Sequence, residues 1–357
     1  MSTKSRKKLL LMGKSGSGKT SMRAIIFKSQ VALDTRRLGA TMDVESSQIR
    51  FLGGLKLDLW DCGGQDSFMD SHLTAQSSTV FRSVHSLIYI FDADSPDLLT
   101  HDAHYFLKCL SALSTQNPTT TSTAAASSSQ PPPNSTASTS TDEGESQGPK
   151  VFVLLHKMDL VPVEQHASKF EEFSREIEKK ARGEGGWKGG LQFHATSIWN
   201  ETLYKAWSVV VSHLMPSLSI LKHHLSTFLA LSDSLELVLF ERTTFLVISS
   251  VTTENPRDEE ERRLVKGWEE RRFERTSTMV KAFKMDCAKL RLPFTSLSIT
   301  TPHYVTHLDL LTPDTYLLIV SRNDRVSQAT VEANLRGVRE FFGGLEGIGN
   351  GTAGGAK

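Results

Sequence analysis

Residues 9–22 read LLLMGKSGSGKTSM, and their reading decides the fold. Four apolar residues run into a glycine-rich turn, and the turn opens a helix-forming stretch. Within it, residues 13–20 (GKSGSGKT) match G-x-x-x-x-G-K-[ST] between a strand and a helix, the context in which such a match carries meaning. Gly13 and Gly18 permit φ values and close approaches that a Cβ would block. Backbone N–H groups from Lys14 to Thr20 then converge on one concavity at a helix N-terminus, which suits phosphate. Lys19 sets an ammonium beside the β- and γ-phosphates of a nucleotide, and the Thr20 hydroxyl is placed to ligate Mg²⁺.

Outward from this loop, strands alternate with helices. The sequence predicts a strand over 9–12 and a helix over 20–29. Two strands over 49–52 and 55–60 are joined by Gly53-Gly54, a hairpin signal. Residues 87–91 (LIYIF) and 151–155 (VFVLL) are continuous apolar runs of the kind that parallel strands show when covered on both faces. Phe193 lies on a last short strand, and residues 201–215 have helical spacing at Leu203, Ala206, Trp207, Val210 and Leu214. The pattern is that of an α/β unit built on a mostly parallel sheet. We assign it to residues 1–215. Residues 114–149, rich in Ser, Thr and Pro, hold no Val, Ile, Leu or aromatic residue. They cannot offset ordering entropy by burial and read as a disordered insertion.

Three further motifs follow. Residues 61–65 (DCGGQ) end the strand LKLDLW. Asp61 there is positioned to hold Mg²⁺ through a water. Gly64 can offer its N–H to a γ-phosphate, and Gln65 can orient an attacking water. Residues 156–159 (HKMD) end the strand VFVLL and choose between bases. The Asp159 carboxylate accepts from guanine N1–H and its exocyclic amine, where adenine has an acceptor instead of that N1–H. The Lys157 stem can lie across the base. Residues 196–199 (TSIW) supply a loop whose backbone N–H, at Ile198, is placed to reach guanine O6.

Beyond Pro216 the pattern changes to a helix over 218–231, strands over 235–240 and 245–249, and a charged stretch over 254–270 read as a solvated loop or helix start. Phe273, Val280, Phe283, Cys287 and Leu290 then recur at helical spacing. Strands over 294–299, 304–310 and 316–320 follow, then an amphipathic helix over 329–342. Residues 216–345 thus describe a small α/β sandwich without a catalytic cluster, an interaction module. Residues 346–357 form a glycine-rich tail, expected to be disordered.

Composition sets the outer limits. The chain has 357 residues, 41 Lys+Arg against 40 Asp+Glu, and a formal net charge of +1, so the basic stripe of a nucleic-acid binder is missing. Its three cysteines form no CxxC pair, which suits a reducing compartment. No apolar run reaches the ~18 residues of a membrane span. The start does not read as a signal peptide, and no myristoylation or prenylation signal is present, so direct membrane insertion is not expected.

The strings KKLLLMGKSGSGKTSM (7–22), DTRRLGATMDVE (34–45), LWDCGGQDSFM (59–69), LIYIFDADS (87–95), HKMDL (156–160) and TSIWNETLYKAWS (196–208) together resemble the Rag small GTPases, subunit type RagA/RagB. LFERTTFLVIS (239–249) carries the resemblance into the second half. The match is fungal-like, with the Ser/Thr-rich insertion as its main departure. A second departure is the divergent segment around 252–272.

The resemblance implies a Ras-like P-loop G domain followed by a roadblock-type, longin-related dimerisation domain. It implies binding and slow hydrolysis of GTP to GDP with Mg²⁺, helped by a GTPase-activating protein. The family's phosphate contacts fall on Ser15, Gly16, Gly18, Lys19, Thr20 and Ser21, and its switch residues on Thr35, Thr41, Gly64 and Gln65. Thr41 would bring a hydroxyl to Mg²⁺ beside Thr20 and Asp61. The base site falls on His156, Lys157, Asp159 and Ile198; His156 stands where most small GTPases have Asn, but the Rag pattern itself has His there. Gln65, Lys19 and Thr41 would serve hydrolysis. Arg36 and Arg37 are candidates for a cis arginine, although an arginine supplied in trans by the activator is expected. The implied partners are a RagC/RagD-type GTPase, a lipidated scaffold complex on the lysosome or vacuole surface, exchange factors, and the target-of-rapamycin kinase complex. The chain itself would be cytoplasmic and peripheral on that membrane, signalling amino-acid sufficiency. A GTP-binding scaffold without turnover and a metabolic ATPase or nucleotide kinase share the phosphate loop. The complete motif set argues against the first, and HKMD against the second.

Overall fold

Leu9, Leu10, Leu11 and Met12 have no accessible surface, because the strand that carries them is covered on both faces. Alternation splits them between two clusters. Leu9 and Leu11 pack with Met22, Ile25 and Trp207 on one side. Leu10 and Met12 pack with Tyr89, Phe91, Phe106 and Phe173 on the other. The protein is described here from a computed structural model, covering residues 6–28, 30, 32–39, 41, 44–50, 56–73, 77–117, 148–215, 218–267, 272–323 and 325–348.

The first unit runs β1 (Arg6–Met12), α1 (Lys19–Phe27), β2 (Glu45–Arg50), β3 (Lys56–Asp61), α2 (Asp66–Leu73), α3 (Ser77–Val80), β4 (Val84–Asp92), α4 (His101–Gln116), β5 (Lys150–His156), α5 (His166–Gly183), β6 (Leu191–Thr196) and α6 (Thr202–His213). The sheet order is β2-β3-β1-β4-β5-β6. Every pairing is parallel except β2 with β3, which is antiparallel with Ile49 opposite Leu57. The expected α/β sheet is therefore present. The Gly53-Gly54 turn of the expected hairpin lies outside the described residues. The chain leaves β1 with β3 on one side and β4 on the other. A ligand crevice at such a switch point opens beyond the carboxyl ends of the strands.

The second unit contains α7 (Leu218–Leu231), β7 (Ser234–Glu241), β8 (Val247–Thr252), α8 (Glu259–Gly267), α9 (Arg272–Lys289), β9 (Ser296–Thr300), β10 (Tyr304–Thr312), β11 (Thr315–Arg322) and α10 (Gln328–Ile348). Its sheet, β8-β7-β11-β10-β9, is antiparallel throughout. Leu225 of α7 and Leu335 of α10 share a core with Leu237, Leu239, Leu317 and Ile319. Val280 of α9 meets Val238, Phe240, Leu308 and Tyr316 on the opposite face. This helix–sheet–helix sandwich agrees with a roadblock-like unit. It joins the first unit through α6, whose Ser212 hydroxyl donates to Ile248 O of β8 at 3.3 Å.

Of the two readings of the charged stretch, the helix start holds: α8 forms there, and Asp258, Glu260 and Glu261 before and within it clamp Arg322 and Arg325 at 2.6–3.0 Å. Three local expectations change. Phe245 lies at φ 53° inside a turn, so β8 starts two residues later than expected. On α9, Val280 is buried, but Phe283 and, just past the helix end, Leu290 face solvent at 46% and 71% exposure. The last helix continues to Ile348, three residues into the segment read as tail, and α4 takes up Ser114–Gln116 from the segment read as insertion. Residues 118–147 and 349–357 of those two segments lie outside the described residues, as does Pro216. Among the described residues, no helix is long and apolar enough to cross a membrane.

Candidate functional site

The parallel strands deliver the site residues at their carboxyl ends. β1 leads into the phosphate loop, β3 ends on Asp61, β4 on Asp92, β5 on His156 and β6 on Thr196. In the loop, Gly13, Gly16 and Gly18 have φ of +142°, +80° and +95°. Space is as decisive as φ. A Cβ on Gly13 would stand 2.2 Å from Ile90 O, and one on Gly18 2.7 Å from the His156 ring.

Ser15, Gly16, Gly18, Lys19, Thr20, Ser21, Thr41 and Gly64 line one cleft of ≈ 270 Å³, joined by Leu38 and Gly39. Lys19 is buried and donates through Nζ to Gly13 O at 2.7 Å and Lys14 O at 2.8 Å. Burial pulls its pKa down to about 8, against the attraction of Asp61. Two of its three N–H groups brace the loop, which leaves the third for a ligand in the cleft.

Thr20 Oγ1 lies 2.7 Å from Thr41 Oγ1 and donates to Asp61 Oδ2 at 3.0 Å. Asp61 has no accessible surface. Burial raises its pKa, and the Arg23 guanidinium, whose Nε is 3.4 Å from Oδ2, works in the opposite direction. Arg23 also pairs with Glu45, so a cation inside α1 ties β2 and β3 to the phosphate loop. Sequence reasoning missed Arg23. Its one signal was the four-residue step from Lys19, one helical turn onward on α1.

Gly64 is pressed onto the phosphate loop. Its carbonyl accepts the Ser15 N–H at 2.6 Å, and a Cβ on it would fall within 2.4–2.5 Å of the Gly13, Lys14 and Ser15 backbone. Gln65, half-buried, follows at the start of α2. A second tie on the loop was not foreseen. Lys14 Nζ stands 3.4 Å from Asp102 Oδ1, and that buried carboxylate accepts from Ser95 Oγ through Oδ2 at 2.8 Å.

On the base side, His156 is buried behind Gly18, with Nδ1 3.0 Å from Thr196 Oγ1. Burial lowers its pKa to about 4. The ring therefore stays neutral near pH 7 and joins the phosphate loop to β6. Lys157, at φ 63°, donates to Asp92 Oδ2 at 2.6 Å. Asp159 is exposed, and its Oδ1 accepts from Ser197 Oγ at 2.5 Å. The half-buried Ile198 side chain packs against the core.

Thr35 is not brought to the cleft. It is buried in the 3-10 turn Ala32–Arg37, where its hydroxyl donates to Ala32 O at 2.7 Å. The local turn has claimed the side chain that the family pattern assigned to the nucleotide. Among the described residues, no group of three His, Cys, Asp or Glu side chains is arranged to hold a metal ion. Of the hydroxyls that line the cleft, Thr20 and Thr41 stand 2.7 Å apart, with the buried Asp61 carboxylate behind Thr20.

The model of the Gtr1/RagA G protein conserved region matches residues 8–123 and 139–280. The chain is 39% identical over 345 residues to the GTP-binding protein gtr1 of Schizosaccharomyces pombe, covering 94% of this chain and 95% of that one. It is 37% identical over 369 residues to Ras-related GTP-binding protein B of Rattus norvegicus, covering 96% of this chain and 86% of the rat protein. A more distant likeness, 25% over 250 residues, links 69% of the chain to 54% of Ras-related GTP-binding protein C of Mus musculus.

Proposed function

The chain belongs to the Gtr1/RagA family of G proteins, and from that premise we propose that it is the A/B-type subunit of a Rag heterodimer, a GTP-operated switch. Its GTP-bound form signals amino-acid sufficiency to the target-of-rapamycin kinase complex. It does so at the lysosome or vacuole surface, where a lipidated scaffold holds the pair. The observation that carries the switch reading is Gly64 on the phosphate loop. The Gly64 carbonyl holds the Ser15 N–H at 2.6 Å, so a γ-phosphate reaching for that N–H would have to displace it. GTP therefore draws the 61–65 segment into a different arrangement from GDP, and partners read that difference.

Hydrolysis asks mainly for positioning and charge neutralisation. Lys19 supplies a fixed ammonium, and the loop amides supply oriented dipoles. The Thr20 and Thr41 hydroxyls and Asp61, whose buried Oδ1 has no hydrogen-bond partner, fit Mg²⁺, which prefers a few hard oxygens and leaves its other positions to water and phosphate. When bound, that ion would supply neutralisation of phosphate charge. Gln65 orients water, and an activating protein adds the missing arginine, which keeps the unassisted rate slow.

The likeness to both A/B-type and C-type relatives supports a pair of related chains. The outward face of α9 and the residue after its end offer Met279, Phe283 and Leu290, at 47%, 46% and 71% exposure, with the Phe283 ring 6.0 Å from that of Phe294, just before the sheet-edge strand β9. Exposed apolar surface along an open sheet edge is suited to the equivalent edge of a partner. A Phe283→Glu, Leu290→Glu variant is expected to lose the heterodimer in size-exclusion chromatography while keeping its nucleotide. A stable heterodimer from that variant would move the interface elsewhere.

The direct test is bound-nucleotide chromatography and one round of GTP turnover, with and without a C/D-type partner. Guanine nucleotide, slow turnover and a stable pair are expected. Bound adenine nucleotide would overturn the reading.

The Lys19 pKa sets a pH dependence. In the free protein its folded pKa lies below the ordinary lysine value, so the ammonium is present below about pH 8 and lost above it. Phosphate binding requires the charged form, so affinity falls as pH rises. GDP affinity is expected to drop by about tenfold between pH 7 and pH 9. A flat profile in a fluorescent-GDP titration would mean that Lys19 keeps its proton through pH 9 or does not meet the phosphates.

A further inference from the structure

Arg36 stands on the 3-10 turn Ala32–Arg37, a few residues before Thr41. Its guanidinium carbon lies 5.0 Å from the centroid of the Trp199 indole. It is turned toward the base loop, not the phosphate end of the cleft where a cis arginine would have to work.

The backbone that carries the indole is anchored. The Trp199 backbone N–H donates to Ser197 Oγ at 3.1 Å, and the same Oγ donates to Asp159 at 2.5 Å. Ser197 N–H is held by Thr202 Oγ1 at 3.0 Å, and Thr202 N–H by Asn200 Oδ1 at 3.0 Å. The base loop is therefore preorganised internally. Contacts run from Arg36 to Trp199 and, through the Trp199 backbone, to Ser197 and Asp159.

We propose that Arg36 and Trp199 form a clasp that binds the switch segment to the base loop and slows nucleotide release. Both are positioning residues, acting on the nucleotide through Thr41 on one side and Asp159 on the other. The inference rests on the guanine-site reading above. Each side of the clasp is open to solvent, so it is built to open: Trp199 has 46% of its surface accessible, and Arg36 is exposed. A cation over an exposed indole shifts an equilibrium by only about two- to fivefold. That is enough to tune residence time without locking the site.

The test follows release of N-methylanthraniloyl-GDP, chased with unlabelled GDP, from the full chain. The variants are Arg36→Ala, Arg36→Lys, Trp199→Ala, Trp199→Phe and the double Arg36→Ala, Trp199→Ala. Each alanine variant is expected to release about two to five times faster. The double should be no faster than the faster single, and the conservative Arg36→Lys and Trp199→Phe variants should recover part of the difference. That non-additivity is the readout a merely structural role would not give.

Unchanged release in both single variants would overturn the clasp, and so would a double variant equal to the product of the singles. A hydrolysis rate that collapses in Arg36→Ala while release is unchanged would put Arg36 at the phosphoryl group instead. Failure of the unmodified chain to retain the guanine probe would be a different result, since it overturns the guanine site on which the clasp depends.

Discussion

Replacing Asp159 with Asn is expected to weaken GDP binding by about 10²–10⁴ and to open the site to xanthosine diphosphate. The carboxylate accepts two N–H bonds from guanine in the proposed mode, and bonds to a charged acceptor are the strong ones, about 1.5–3 kcal/mol each. Asn keeps the shape and can keep the acceptor that Ser197 Oγ meets at 2.5 Å. Its other atom becomes a donor, which faces the guanine amine with like against like. Xanthine carries a carbonyl at that position and accepts instead. The exposed position of Asp159 argues that the fold tolerates the change. Competition of labelled GDP with GDP, XDP, IDP and ADP checks it. A variant that still prefers GDP and ignores XDP would remove Asp159 from the base site.

How much of this was legible in the sequence depended on how local the determinant is. LIYIF and VFVLL read as strands because parallel strands buried on both faces need apolar residues at every position, and β4 and β5 stand there. β2 was half visible. It starts at Glu45, but its ESSQ half is polar and exposed except at the half-buried Ser47, as an edge strand can be, so only Ile49 announced it. Helix α5 was not foreseen, because eighteen residues rich in Lys and Glu bury little beyond Phe173, Ile177 and Ala181. On α9 the apolar spacing was real but ambiguous. The period gives a face without saying whether core or partner covers it.

The site followed the same rule. The phosphate loop, D-x-x-G and HKMD are contiguous strings whose chemistry is set within a few residues, and the structure gathers their phosphate-side members in one cleft. What escaped were pairings across long separations: Arg23 with Asp61, Asp92 with Lys157, and Arg36 with Trp199. Nothing local marks such pairs, since each is created by strand order. Thr35 lies in a string that matches the family, and a three-residue turn to Ala32 O engages its hydroxyl, which no local pattern announces.

The Gln65→Leu variant is expected to lose about 10²–10³ in activator-stimulated GTP turnover, the usual cost of removing one positioned polar group from a transition state. Binding should be nearly intact, because its determinants lie elsewhere. Lys19, Thr20 and the loop amides face the cleft, and Asp159 lies on the base side, while Gln65 stands half-buried at the foot of α2, just beyond Gly64. Leucine fills a similar volume there but can neither accept from nor donate to a water. A loss confined to turnover, with GTP affinity held, is the signature of an interaction made only in the transition state. The consequence reaches the partner surface. A chain that keeps GTP also keeps the γ-phosphate in competition with Gly64 for the Ser15 N–H, so the 61–65 segment stays in its GTP arrangement and the output persists. Single-turnover phosphate release with an activating protein, beside filter binding of GTP, measures both quantities on one preparation. If stimulated turnover is unchanged while binding holds, water is oriented by some other group and Gln65 has no part in the reaction.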